Sequence, residues 1–258
     1  MRSVGRLLFF ISFIALPVNA IIGGSDASPD SAPFAVALIS STLFGDTYLC
    51  AGSLISPKTV LTTAGCVDGS SASSLKIRVG SLEHATGGKL NQVIKVIKHP
   101  NYNTNTRDSD SAVLHLTSSV TDIEPVAIVK QSTLTGAPVT LYGWGKTDKL
   151  SNKNPRTLQQ LQTTFISFDD CDKPWSDLYL LTHNMNCDAA PEKKQGSCSQ
   201  DQGGPVVNES GELVGIIGHY NYCEPSSNGR PDVNNDALSA NSWIAQNTIW
   251  LTCLESKS

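Results

Sequence analysis

The stretch Ser197–Val207, SCSQDQGGPVV, has the outline of a loop that displays a reactive side chain. Gly203, Gly204 and Pro205 fix a turn just ahead of the apolar pair Val206 and Val207. A hydroxyl or thiol at the apex, with a base beside it, would do nucleophilic catalysis. The residue at the apex is Gln202, and a carboxamide is no nucleophile. The sequence holds five histidines, His84, His99, His115, His183 and His219, and a lone histidine is more often a satisfied or solvated residue than a base. His115 stands an odd number of residues from Asp110, on the opposite face of a regular strand. No Cys or His pair has the close spacing of a zinc site, so neither metal nor cofactor is expected.

Short β-rich runs must position these groups. They fall at 34–39, 59–63, 75–79, 92–97, 112–116, 139–142, 163–166 and 213–217, with Gly, Ser, Asn and Pro clusters between them. This pattern is that of an all-β barrel or sandwich protein. Helical character is confined to Ser239–Leu251, where Trp243, Ile244, Trp250 and Leu251 share a stripe and Ser239 or Asn241 stands as cap. The polar stretch 118–135, with Pro125, is the natural connection between two halves.

Residues 1–20 read as a signal peptide: Arg2 and Arg6 lead an apolar run from Leu7 to Leu16, and Val18-Asn19-Ala20 offers small residues for cleavage. No later run approaches the length of a membrane span, so a secreted chain without a membrane partner is expected. The formal net charge is −4 and becomes more negative once Arg2 and Arg6 leave, which disfavours nucleic acid. Seven cysteines in a secreted chain point to disulfides with one remainder. Spacing pairs Cys50 with Cys66, Cys171 with Cys187 and Cys198 with Cys223. Cys253 is left over, so the expected state is a monomer, with a dimer through Cys253 as the other outcome. Asn208-Glu209-Ser210 is an N-glycosylation sequon that suits a β-turn.

Five separated motifs then agree. IIGG at 21–24, CAGSLISPKTVLTTAGC at 50–66, DSAVLHL at 110–116, GWG at 143–145 and CSQDQGGPVV from Cys198 together resemble the trypsin and chymotrypsin family of serine proteases, over essentially the whole chain after residue 20. The resemblance implies two six-stranded antiparallel β-barrels side by side, a cleft between them and a C-terminal helix. It suggests barrels at about 21–125 and 126–240 and a helix at about 239–251.

Such a protease uses a serine nucleophile, a histidine base and an aspartate that holds the imidazole. At the matching positions this chain has Gln202, Gly65 and Asp110. The resemblance therefore implies a degenerate triad with no working catalytic residue and Asp110 as a structural relic, either hydrated through the space left by Gly65 or bonded to backbone amides. The oxyanion-hole positions are Gln200 and Gln202, and a side chain at 200 stands to block or reorient the donor. At the substrate walls the family's Ser-Trp-Gly is replaced by Gly218-His219-Tyr220, the pocket base is Gly196, and Asp232 faces it from the opposite wall. Only His219 is expected to border the cleft, with Ser197, Ser199 and Asp110 as its nearest collaborators. Ile21 and Asp201 are both retained, which implies an N-terminal ion pair formed without any activation cleavage beyond removal of the leader.

These readings converge on a secreted, inactive homologue that works by binding an extracellular protein, as inhibitor, decoy or regulatory partner of a host or competing hydrolase. The alternatives are a trypsin-like peptidase or other hydrolase with a rearranged catalytic site, and a carrier of a small ligand.

Overall fold

The structure, a computed structural model, describes residues 21–147, 153–177, 179–192, 195–218, 223 and 230–248. The expectations for the leader, for His219 and Tyr220, for Trp250 and Leu251 and for Cys253 lie outside the described residues.

Two closed antiparallel barrels and a C-terminal helix make up the fold. The first barrel runs through β2 (Ala35–Thr42), β3 (Gly45–Ser56), β4 (Thr59–Thr62), β7 (Ala112–Leu116), β6 (Lys89–Lys98) and β5 (Leu75–Val79), in that spatial order. The second closes through β9 (Gln159–Ile166), β10 (Met185–Ala189), β13 (Asp232–Asp236), β12 (Leu213–Ile217), β11 (Pro205–Asn208) and β8 (Pro138–Gly143), with β8 pairing back to β9. A short β1 (Ser25–Asp26) adds to the outside of β9, so the N-terminal segment is held by the second barrel before the chain enters the first.

Alternation builds the first barrel: β5 buries Leu75, Ile77 and Val79 while Lys76 and Arg78 face outward. Each such side chain contributes roughly 1.5–3 kcal/mol on burial. The core of the first barrel continues without a break into Tyr142, Trp144, Leu158, Val207 and Leu213 of the second. The rest of the second barrel buries two separate clusters, one around Ile21, Leu141, Phe165 and Ile217 and one around Cys171, Trp175, Met185 and Val233. Trp144 is 1% exposed and its indole N–H donates to Leu82 O at 2.8 Å, which seats GWG at the junction.

Helix is less scarce than the sequence suggested. Besides α3 (Ala237–Thr248), the chain forms α1 (Ala64–Val67) and α2 (Phe168–Trp175). The acids Asp169 and Asp170 favour the α2 N-terminus, and Pro174 lies in its last turn. Disulfides join Cys50 to Cys66, Cys171 to Cys187 and Cys198 to Cys223, tying α1 to β3, α2 to β10 and the apex loop to residue 223.

Candidate active site

Gly65 in α1 and Asp110, just ahead of β7, meet through the Gly65 N–H, which donates to Asp110 Oδ1 at 2.7 Å. The carboxyl group is almost sealed, at 1% residue exposure. Burial pushes its pKa up to about 6, against the pull of the Gly65 N–H and the Arg107 guanidinium. Backbone bonding of Asp110 is thus present, but the open, hydrated space at Gly65 is not. A Cβ at 65 would stand 2.8 Å from Arg107 Nη1, 3.2 Å from Tyr102 Oη and 3.4 Å from Asp110 Oδ2. Arg107 and Tyr102 fill the direction an imidazole would take, and Arg107 Nη1 donates to Tyr102 Oη at 2.7 Å.

The loop that delivers Arg107 is braced from the second barrel. Arg107 and Ser109 both adopt left-handed backbone, with φ of 57° and 53°. Between them Asp108 Oδ1 accepts from Thr182 Oγ1 at 2.6 Å and Asn184 Nδ2 at 2.9 Å. These bonds offset the cost of unfavourable backbone, on the order of 1–2 kcal/mol per residue.

At the apex loop, Gly203 has φ +80° and a side chain there would run into Ala51 O and Thr62 Oγ1, so glycine is required. This close approach brings the second barrel's loop against β3 and β4, where Ala51 N–H donates to Gln202 O at 3.0 Å. The side chain of Gln202 turns back on its own loop: Gln200 N–H donates to Gln202 Oε1 at 2.8 Å. A side chain at 200 is expected to block or reorient the oxyanion donor, and the structure turns the Gln200 side chain to Tyr48, away from its own N–H. Gln200 takes φ +73°, its Nε2 donates to Tyr48 O at 3.1 Å and its carbonyl accepts from Tyr48 Oη at 2.9 Å. The donor at 200 is taken by the carboxamide of Gln202.

Asp201, wholly buried, accepts from Gly145 N–H through Oδ1 at 2.7 Å and from Cys198 N–H through Oδ2 at 2.9 Å. Burial pushes its pKa up to about 7 in spite of those two donors. Side chains at Gly143 or Gly145 would collide with this carboxylate. Ile21 is also fully buried, and Ile22 exchanges backbone hydrogen bonds of 2.8 and 3.0 Å with Gly196.

Asp232 is tied to Ser197, next to Gly196 in sequence: its Oδ2 accepts from Ser197 N–H at 2.6 Å and Ser197 Oγ at 2.9 Å. Directly across the ladder stands Asp188 of β10, whose Oδ1 accepts from Asn234 Nδ2 at 2.8 Å. Both carboxyls are pushed up by burial, and Asp232 further by the Asp188 charge. Gly218 N–H donates to Val233 O at 3.2 Å. The four described histidines lie at other places. His84 packs on Tyr48, His99 on Trp243 and His183 on Phe168, while His115 is buried in β7 opposite Thr59 and Lys95.

Arg107, Tyr102 and Asp188 are the site residues that sequence reasoning missed. Tyr102 lies inside the polar turn cluster that reads as a mere separator, and nothing in the residue types marks Arg107 as left-handed. Asp188 belongs to a strand too polar for an apolar pattern to reveal.

A model of the trypsin family matches residues 21–244. The chain is 32% identical over 231 residues to trypsin 5G1 of Aedes aegypti, covering 88% of this chain and 84% of that protein. It is 31% identical over 242 residues to serine protease 1 of Canis lupus familiaris, covering 90% and 93%. With trypsin-4 of Rattus norvegicus the identity is 32% over 254 residues, covering 93% and 98%. These names correct one expectation. A non-catalytic, protein-binding role finds no support among relatives called trypsin and serine protease, and the alternative of a trypsin-like peptidase or hydrolase with a rearranged site fits them better. Fold, motifs and relatives agree, and the chain belongs to the trypsin family of serine proteases.

Proposed function

We propose that this chain is a trypsin-like hydrolase with a rearranged catalytic site, closed to serine-type acyl transfer. The observation that carries the reading is Gln202, which supplies no hydroxyl and seats its carboxamide on the Gln200 N–H. With Gly65 providing no imidazole, the acyl-enzyme route has neither nucleophile nor base. Asp110 is the one triad position that keeps its chemistry. With a pKa near 6 it is ionised at neutrality. Because it is 1% exposed, the reading requires substrate to move Arg107 and Tyr102 aside, which admits a water that Asp110 is basic enough to deprotonate as that water attacks a carbonyl. Arg107 and Tyr102 supply N–H and O–H donors beside it for the charge that develops on oxygen.

Turnover through Asp110 is expected to be slow, because loss of nucleophile or base from a serine triad costs on the order of 10⁶ in kcat. The test is hydrolysis of activated esters and peptides by wild type and Asp110→Asn, with fluorophosphonate labelling as a parallel readout. Turnover that rises with pH through about 6, falls in Asp110→Asn and leaves every serine unlabelled supports the reading. Turnover that survives Asp110→Asn, or none in wild type, overturns it.

The apolar leader and the three disulfides support export into an oxidising compartment. Cleavage after Ala20 would give Ile21 a free ammonium to face Asp201, whose burial without a cation is costly.

A further inference from the structure

Within the second barrel, β11 carries the apex loop at its Pro205 end and Asn208 at the other, about 10 Å along the strand. Asn208 starts the hairpin to β12 and organises it. Its Oδ1 accepts from Ser210 N–H at 3.0 Å and Glu212 N–H at 2.9 Å, while its Nδ2 donates to Glu212 Oε2 at 3.1 Å. Glu209, Ser210 and Gly211 are exposed, so the tripeptide Asn208-Glu209-Ser210 is presented on a surface turn. Beside it lies an open depression of about 460 Å³, to which the segment 130–133, Lys-Gln-Ser-Thr, contributes an ammonium, an amide and two hydroxyls. Polar donors and acceptors around a shallow hollow suit a carbohydrate better than an apolar ligand.

We propose that Asn208 carries an N-linked oligosaccharide whose first sugars lie in the depression formed with residues 130–133. Three disulfides require an oxidising compartment, where the transfer machinery of the secretory route also works. The donor is a lipid-diphosphate-linked oligosaccharide. Asn208 Nδ2 attacks the anomeric carbon, the new N–C bond forms as the C–O bond to the diphosphate breaks, the lipid diphosphate leaves and Nδ2 gives up one proton. Substitution at Nδ2 leaves Oδ1 free to accept from Ser210 N–H and Glu212 N–H, so the turn keeps those two bonds after modification. The modification lies away from Asp110 and Gln202 and is independent of the hydrolytic reading.

The full chain is expressed with its leader in a eukaryotic secretory host and recovered from the medium. Peptide mapping of the secreted protein, before and after treatment with peptide N-glycosidase, should show an oligosaccharide on Asn208 that the enzyme removes, leaving aspartate. Ser210→Ala should abolish it and Ser210→Thr should keep it. Hydrogen exchange at residues 129–133 should speed up when the glycan is removed. Unmodified Asn208 in the secreted protein overturns the site, and a glycan whose removal leaves exchange at 129–133 unchanged overturns its docking. Both serine variants remain readable because Ser210 contributes only its backbone N–H to the turn.

Discussion

Asp201 offers the sharpest test of how this fold is held together. The perturbation is Asp201→Asn, made in two forms of the chain, one beginning at Ile21 and one extended by two residues ahead of it. In the extended form no ammonium is available, and burial holds the carboxyl near pKa 7 against an ordinary 3.8, a cost to the charged form of about 4 kcal/mol. A carboxyl raised in this way stabilises the fold fully below pH about 4, and that contribution is lost as pH rises through about 7. Asparagine removes the penalty but turns an NH₂ toward Gly145 N–H or Cys198 N–H, which costs about 1–3 kcal/mol in either form. At pH 8 the substitution should therefore stabilise the extended form by about 1–3 kcal/mol. In the Ile21 form it strips a buried ammonium of its partner and should destabilise by about 3–5 kcal/mol. The amide mismatch is common to both forms, and the difference between them should be about 4–8 kcal/mol, on the order of 10–30 °C in melting temperature for a chain this long. Melting followed by circular dichroism at pH 5 and pH 8 reads it directly. An equal shift in both forms at pH 8 would show that the Ile21 amine is not paired with Asp201.

Gly65→His with Gln202→Ser should free the Gln200 N–H and expel Arg107 from its bond to Tyr102, at a cost of about 1 kcal/mol. The double variant should react slowly with a fluorophosphonate while each single variant stays unlabelled. Cleavage after Lys or Arg should stay weak because Gly196 bears no charge and Asp232 is engaged by Ser197; rapid cleavage would refute that account of the pocket floor. Asp188→Asn should raise the melting temperature above neutral pH and change it little near pH 4, since it removes one of two like charges opposed across β10 and β13. A fall in stability at pH 8 would mean that the pair is not electrostatically opposed.

Alternating or continuous apolar runs made most strands legible. β5, β7 and β12 coincide with the runs read from sequence, because each presents a plain row of Leu, Ile and Val to a barrel interior. β13, Asp-Val-Asn-Asn-Asp, gave no such signal although four of its residues are buried. Part of its polar surface bonds to residues distant in sequence, Asn234 Nδ2 to Asp188 and Asp232 to Ser197, and local pattern contains no trace of that. α2 was missed for a similar reason: Pro174 and three aspartates argue against helix locally, while Cys171 and Trp175 anchor it by a disulfide and a bond to Pro231 O. At the site, the identities at 65, 110 and 202 were readable from motif spacing. Their consequences depended on Arg107 and on the rotamer of Gln202, which only the folded backbone reveals.

The Gln202 carboxamide has a further consequence for the conformational balance of the apex loop. A loop built to grip a transient oxygen is free to populate other turns when no guest is present, and substrate or inhibitor then draws it into the gripping one. Here the guest is covalently part of the host, at an effective concentration that no free ligand matches. The turn from Ser197 to Gly203 should accordingly stay in one state whether the cleft is empty or full, and a ligand entering the cleft gains nothing from organising it.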